Sequence, residues 1–172
     1  MLLNVINVGI KVYQNQVITW IGLFALNAVL IHGKNRDMIL QTRDIEILKF
    51  IAKFGYVNSL HISNMFILSK PRTSQILQRL LKVEYIKKDN IFANEPNIFT
   101  LRTAGAELIK SNRVKKITLQ NLRHNLLLVD VYIAIKLKNP ELEILSDREL
   151  RAGRGFGAKG HIPDMEIITP IQ

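Results

Sequence analysis

The chain has 172 residues, 48% of them hydrophobic, and no cysteine. That is enough apolar material to build one domain or two small ones; it excludes a disordered chain, disulfide staples and thiolate metal sites, and it suits a reducing cytoplasm. A net charge of +10 with a pI near 10.0 points to a polyanionic partner or an anionic membrane surface.

The charge is concentrated rather than spread. Residues 38–126 carry 15 basic against 6 acidic side chains, whereas residues 127–172 carry 6 against 7. An excess gathered in one segment is the electrostatic footprint expected of a nucleic-acid-binding module.

Residues 1–37 precede that segment. Val17 to His32 is apolar except for Thr19, Gly22 and Asn27. The run is shorter than the roughly 20 residues needed to span a bilayer. Lys34 and Arg36 follow it, which fits an anchor with its N-terminus outside. Only Lys11 is basic ahead of it and no Ala-x-Ala site follows, which argues against a signal peptide. Three readings stay open: a membrane anchor through residues 17–32, an extra helix on the domain, or translation starting at Met38. The last is favoured, because Met38 stands just ahead of the next module.

From Thr42 to Lys110 the sequence predicts three helices, a two-stranded wing and a fourth helix. Thr42 is the expected cap of the first, with Asp44 and Glu46 complementing its dipole. Ile47, Phe50, Ile51 and Phe54 recur at helical spacing as one buried stripe, and Gly55 is the expected stop. Tyr56-Val57 reads as an extended link. Asn58 or Ser59 caps the second helix, whose expected core residues are Leu60, Ile62, Met65 and Phe66. Ser69 caps the third, with Pro71 in its first turn. On that helix Thr73, Leu77, Leu80 and Leu81 cluster on one side. Arg72, Gln75, Gln78, Arg79 and Lys82 cluster on the other, the distribution needed by a helix that enters a DNA groove. Tyr85–Lys88 and Ile98–Leu101 read as the wing strands, joined through Asp89-Asn90 and Asn94–Asn97. Lys87 and Lys88 are the expected phosphate contacts. Thr103 should cap the fourth helix, and Arg113, Lys115 and Lys116 form a basic cluster after it.

The second half is sparser in signals. Leu122–Leu137 reads as a buried helix with Leu126, Val129, Ile133 and Leu137 on one stripe. Leu142–Leu145 and Ile162–Ile168 read as short strands. The glycines of "RAGRGFGAKG" do not lie between a strand and a helix as a phosphate loop requires, so a connection is the better reading, with Arg154 and Lys159 near DNA. Glu149, His161, Asp164 and Glu166 are the residues from which a metal site would have to be built.

The segments "TRDIEILKFIAKFGYVNSLHISNMF", "RTSQILQRLLKVEYIKK" and "IFTLRTAGAELI" resemble the winged-helix half of the replication-relaxation family, a neighbourhood that includes MobC-like plasmid mobilisation accessory proteins. "LRHNLLLVDVYIAI", "LSDRELRA" and "HIPDMEI" resemble the degenerate nuclease-like domain that follows it there. The resemblance spans about residues 40–170. It departs at Val83-Glu84-Tyr85, where the family tends to carry a glycine, so Glu84 is expected in a strained conformation. It departs again at Arg102-Thr103, where Thr-Pro is usual. No Glu-x-Lys pair follows Asp164, and the chain stops four residues after Ile168, so a truncated and inactive nuclease-like segment is expected.

The sequence thus predicts an α+β protein. Its parts are an apolar extension (1–37), a winged helix-turn-helix (38–116) and a partial, degenerate restriction-endonuclease-like segment (117–172). The expected DNA-binding residues are Arg72, Thr73, Gln75, Gln78, Arg79, Lys82, Lys87 and Lys88. Of these, Gln75 and Arg79 are the expected readers of base edges, since Gln pairs with adenine and Arg with guanine. No cofactor, metal or catalytic residue is expected. The expected partner is duplex DNA in the cytoplasm, and the resemblance adds a relaxase or replication initiator. A transcriptional regulator, which would be a homodimer on a palindrome, is the alternative, followed by a protein-interaction module tethered to a membrane.

Overall fold

In the computed structural model, residues 28–31, 38–91, 93–112, 119–154 and 162–168 are described. They fall in two compact units, residues 1–46 and 47–172. In the first, β1 (Ala28–Ile31) pairs antiparallel with β2 (Met38–Gln41), Val29 opposite Leu40. The end of the apolar N-terminal run is therefore a strand, not part of a helix. Among the described residues no helix is long and apolar enough to cross a membrane.

Helix α1 covers Thr42–Phe54. Asp44, expected only as a charge near the dipole, accepts a hydrogen bond from the Gln41 N–H at 2.9 Å and closes the first turn. Its stripe of Ile47, Phe50, Ile51 and Phe54 is buried, as its spacing predicts. Gly55 ends it at φ 81°, a conformation that costs glycine little. The extended link that follows is a strand, β3 (Tyr56–Asn58).

Helix α2 (Ser59–Met65) is capped by Asn58, and the cap is reciprocal. Asn58 Oδ1 accepts from the His61 N–H at 2.8 Å, while His61 Nδ1 accepts from the Asn58 N–H at 3.3 Å. With Nδ1 accepting, the imidazole proton sits on Nε2, 3.1 Å from Asp130 Oδ1. Burial pushes the His61 imidazole below its ordinary value, against the opposing pull of Asp130. Leu60, expected in the core, is 42% exposed, because it falls outside the face that carries His61 and Ile62.

Helix α3 (Lys70–Lys82) starts at Ser69, whose Oγ accepts from the Arg72 N–H, with Pro71 in the first turn. The wing is β4 (Ile86–Asp89) and β5 (Ile98–Leu101), one residue later at its start than its pattern predicts. The sheet order is β3-β5-β4, all antiparallel, with Lys88 opposite Phe99. Helix α4 (Thr103–Leu108) has Arg102, not Thr103, at its cap, with no side-chain bond there. Helix, strand, two helices and a two-stranded wing in this order form a winged helix-turn-helix.

Helix α5 (Leu119–Lys138) packs into the same core. Leu122 joins Tyr56 and Ile98, and Tyr132 meets Phe54 edge-on with ring centroids 5.0 Å apart. Only one side of α5 is buried. Val129 and Ile133 are inside as expected, but Leu127, Val131 and Leu137 are exposed. Strand β6 (Glu143–Ser146), helix α6 (Asp147–Arg154) and strand β7 (Met165–Ile168) follow, with β6 and β7 antiparallel. The Arg113–Lys116 cluster, Lys159 and His161 lie outside the described residues.

Candidate nucleic-acid interface

Successive side chains on a helix are about 100° apart, so α3 sorts its residues into sectors. Thr73, Ile76, Leu77 and Leu80 face the core. Pro71, Gln75, Gln78 and Lys82 lie opposite and are exposed. Arg72 and Arg79 occupy one shoulder, both half-buried; Lys70, Ser74 and Leu81 occupy the other. Arg72 Nη1 reaches Gln75 Oε1 at 3.4 Å, a loose bond on an exposed surface.

Thr73 is a correction. It is 2% exposed, and its hydroxyl donates to the Ser69 carbonyl at 3.1 Å. It fastens the first turn of α3, and only a sliver of it borders the surface. Arg79, expected at a base edge, stands on the shoulder, while Gln78 stands nearer the centre of the exposed face.

The wing divides its two lysines. Adjacent strand residues point to opposite faces of a sheet. Lys88 faces α3 and lines a groove of about 350 Å³ with Ser74, Leu77, Gln78 and Leu81. Lys87 points the other way and is bonded to Asp89 Oδ1 at 2.7 Å. Leu60, Lys70, Thr73 and Asn97 are also in the groove walls. Lys70, Ser74, Gln78 and Leu81 follow one another by four, four and three residues, a helical stripe readable in the sequence but hidden there by its mixed chemistry.

The acidic residues considered for a metal are dispersed. Glu149 Oε2 accepts from Lys53 Nζ and from the Ser146 N–H, the latter at 2.8 Å. Asp164 Oδ2 lies 3.2 Å from His124 Nε2. Among the described residues no three His, Asp or Glu side chains converge on one point.

Neither a protein-family model nor a curated protein matches the chain. Among solved structures, the chain is similar to two mutants of ZitR from Lactococcus lactis. One aligns with 17% identity over 64% of this chain and 69% of that one, the other with 16% over 65% and 70%, each with a TM-score of 0.38.

Proposed function

We propose that this chain binds duplex DNA through α3 and the β4–β5 wing, and that it acts by occupying a site, as a transcriptional regulator does. The observation that carries this reading is the exposed Gln75, Gln78 and Lys82 face of α3, set beside a groove whose far wall holds Lys88. Glutamine amides suit adenine edges, and lysines suit phosphates without reading sequence. Gln75 and Gln78 are the base readers in this proposal; Lys82 and Lys88 hold the backbone, and Arg72 and Arg79 flank them. The test is affinity across a panel of duplexes. Gln78→Ala should cost about 1–3 kcal/mol on the preferred site and flatten the preference. Lys88→Ala should weaken all duplexes alike. Equal loss of preference from both changes would contradict the division of labour.

A role in plasmid replication or mobilisation is the narrower alternative, favoured by the sequence segments that resemble the replication-relaxation family. A two-fold footprint with half-sites about one helical turn apart supports a dimeric regulator. A single asymmetric footprint beside a plasmid origin, with retention of a relaxase or initiator, supports the accessory role.

We further propose that the chain does not cleave DNA. Glu149 is committed to Lys53 and Ser146, and Asp164 to His124. Supercoiled plasmid incubated with Mg²⁺ or Mn²⁺ should stay intact; metal-dependent nicking abolished by Asp164→Ala would overturn this.

A further inference from the structure

A second cavity, of about 450 Å³, opens between α1, the turn after α4 and the start of α6, and it shares no lining residue with the α3–wing groove. Cations from three elements line it: Lys49 and Lys53 of α1, Lys110 after α4, and Arg148 of α6. Among the described residues Glu149 is the one carboxylate in its wall, and it is already bonded to Lys53.

One of these cations is held by backbone carbonyls. Arg148 donates through Nε to the Ala52 carbonyl at 3.1 Å and through Nη2 to the Asn112 carbonyl at 2.8 Å. Carbonyls fix the guanidinium plane without neutralising its charge. Lys110 sits at φ 53° in the turn that ends α4. Glycine would take that conformation at less cost, yet a cation stands there.

We propose that this cavity binds a phosphorylated anion bearing two or more charges. Its volume suits a ligand no larger than a nucleotide. Several cations around a concavity focus the potential within it, and a fixed guanidinium fork matches phosphate oxygens. The phosphate comes either from a free small molecule or from the backbone of bound DNA.

The test is calorimetric titration of the full chain with pyrophosphate at constant ionic strength. The wild type should bind. Lys110→Gly removes the cation while relaxing the backbone, so it should melt higher yet bind about tenfold more weakly, the loss of one charge-assisted bond. Lys138→Ala, at the exposed end of α5 and outside both cavities, should bind pyrophosphate as the wild type does. No binding by the wild type, equal binding by Lys110→Gly, or a loss confined to Lys138→Ala would each overturn the proposal. Duplex DNA separates the two sources. If Lys110→Gly also weakens duplex binding and pyrophosphate competes with duplex, the phosphate is that of DNA. Unchanged duplex affinity assigns the cavity to a free anion.

Discussion

Gly55, Ile67, Glu84 and Lys110 each follow the end of a helix, α1 to α4 in turn, and each lies in the left-handed region, at φ 81°, 50°, 62° and 53°. The last three helix ends share a further bond. Leu68 N–H reaches the Ser63 carbonyl at 2.9 Å, Tyr85 N–H reaches Leu80 at 3.1 Å, and Ser111 N–H reaches Ala106 at 2.8 Å. This bond satisfies a carbonyl that a helix end would otherwise leave open. Only α1 uses glycine for the turn. Ile67 is the most costly occupant, being β-branched, and at 83% exposure little packing offsets it. Ile67→Gly and Glu84→Gly should each stabilise the fold by about 0.5–1 kcal/mol, the left-handed penalty less the added freedom of the unfolded chain. Thermal melts of the single variants check this; a lowered Tm in both would refute it. Glu84 was legible as strained, because the family that the segment resembles tends to carry a glycine there. Ile67 and Lys110 were not, because backbone bonds build those turns and leave no mark on residue type.

At the scale of elements, helices with one apolar stripe were readable and their partners were not. The spacing of Ile47, Phe50, Ile51 and Phe54 defined the buried face of α1, and Ser69 with Pro71 marked the start of α3. Helix α6 was missed, although Ser146-x-x-Glu149 carries the signature of a capping box. Ser146 N–H indeed donates to Glu149 Oε2, and Ser146 Oγ accepts from the Glu149 N–H at 3.4 Å. The sequence allows Thr73 either an apolar or a DNA-contacting role; its burial favours the former, since a threonine can turn its hydroxyl onto its own helix. The fit of α4 against the wing depends on Gly105. A Cβ there would stand 2.2 Å from the Tyr85 carbonyl oxygen, the same oxygen that accepts from the Arg102 N–H at 2.9 Å. Backbone cannot yield as a side-chain tip can. Gly105→Ala should therefore destabilise by about 1–3 kcal/mol. Denaturant titration reads this directly, and an unchanged midpoint would show that α4 is free to slide.

For the whole molecule, sequence composition located the positive charge but not the two cavities that it lines. The α3–wing groove was legible because amphipathic spacing and a hairpin lie close together in the chain. The second cavity was not, because Lys53, Lys110 and Arg148 are brought together only by the tertiary fold. The exposed leucines of α5 escaped for a related reason: an apolar residue on a helix shows no sign in the sequence of whether a partner element covers it.

The central claim is tested most directly by binding of the full chain to its own flanking DNA and to random duplex across a salt series. If about 4–6 phosphates are neutralised, log K should fall with log salt at a slope near −4 to −5, with the flanking DNA preferred throughout. No duplex binding at low salt by a folded sample, or an affinity indifferent to salt, would contradict the account.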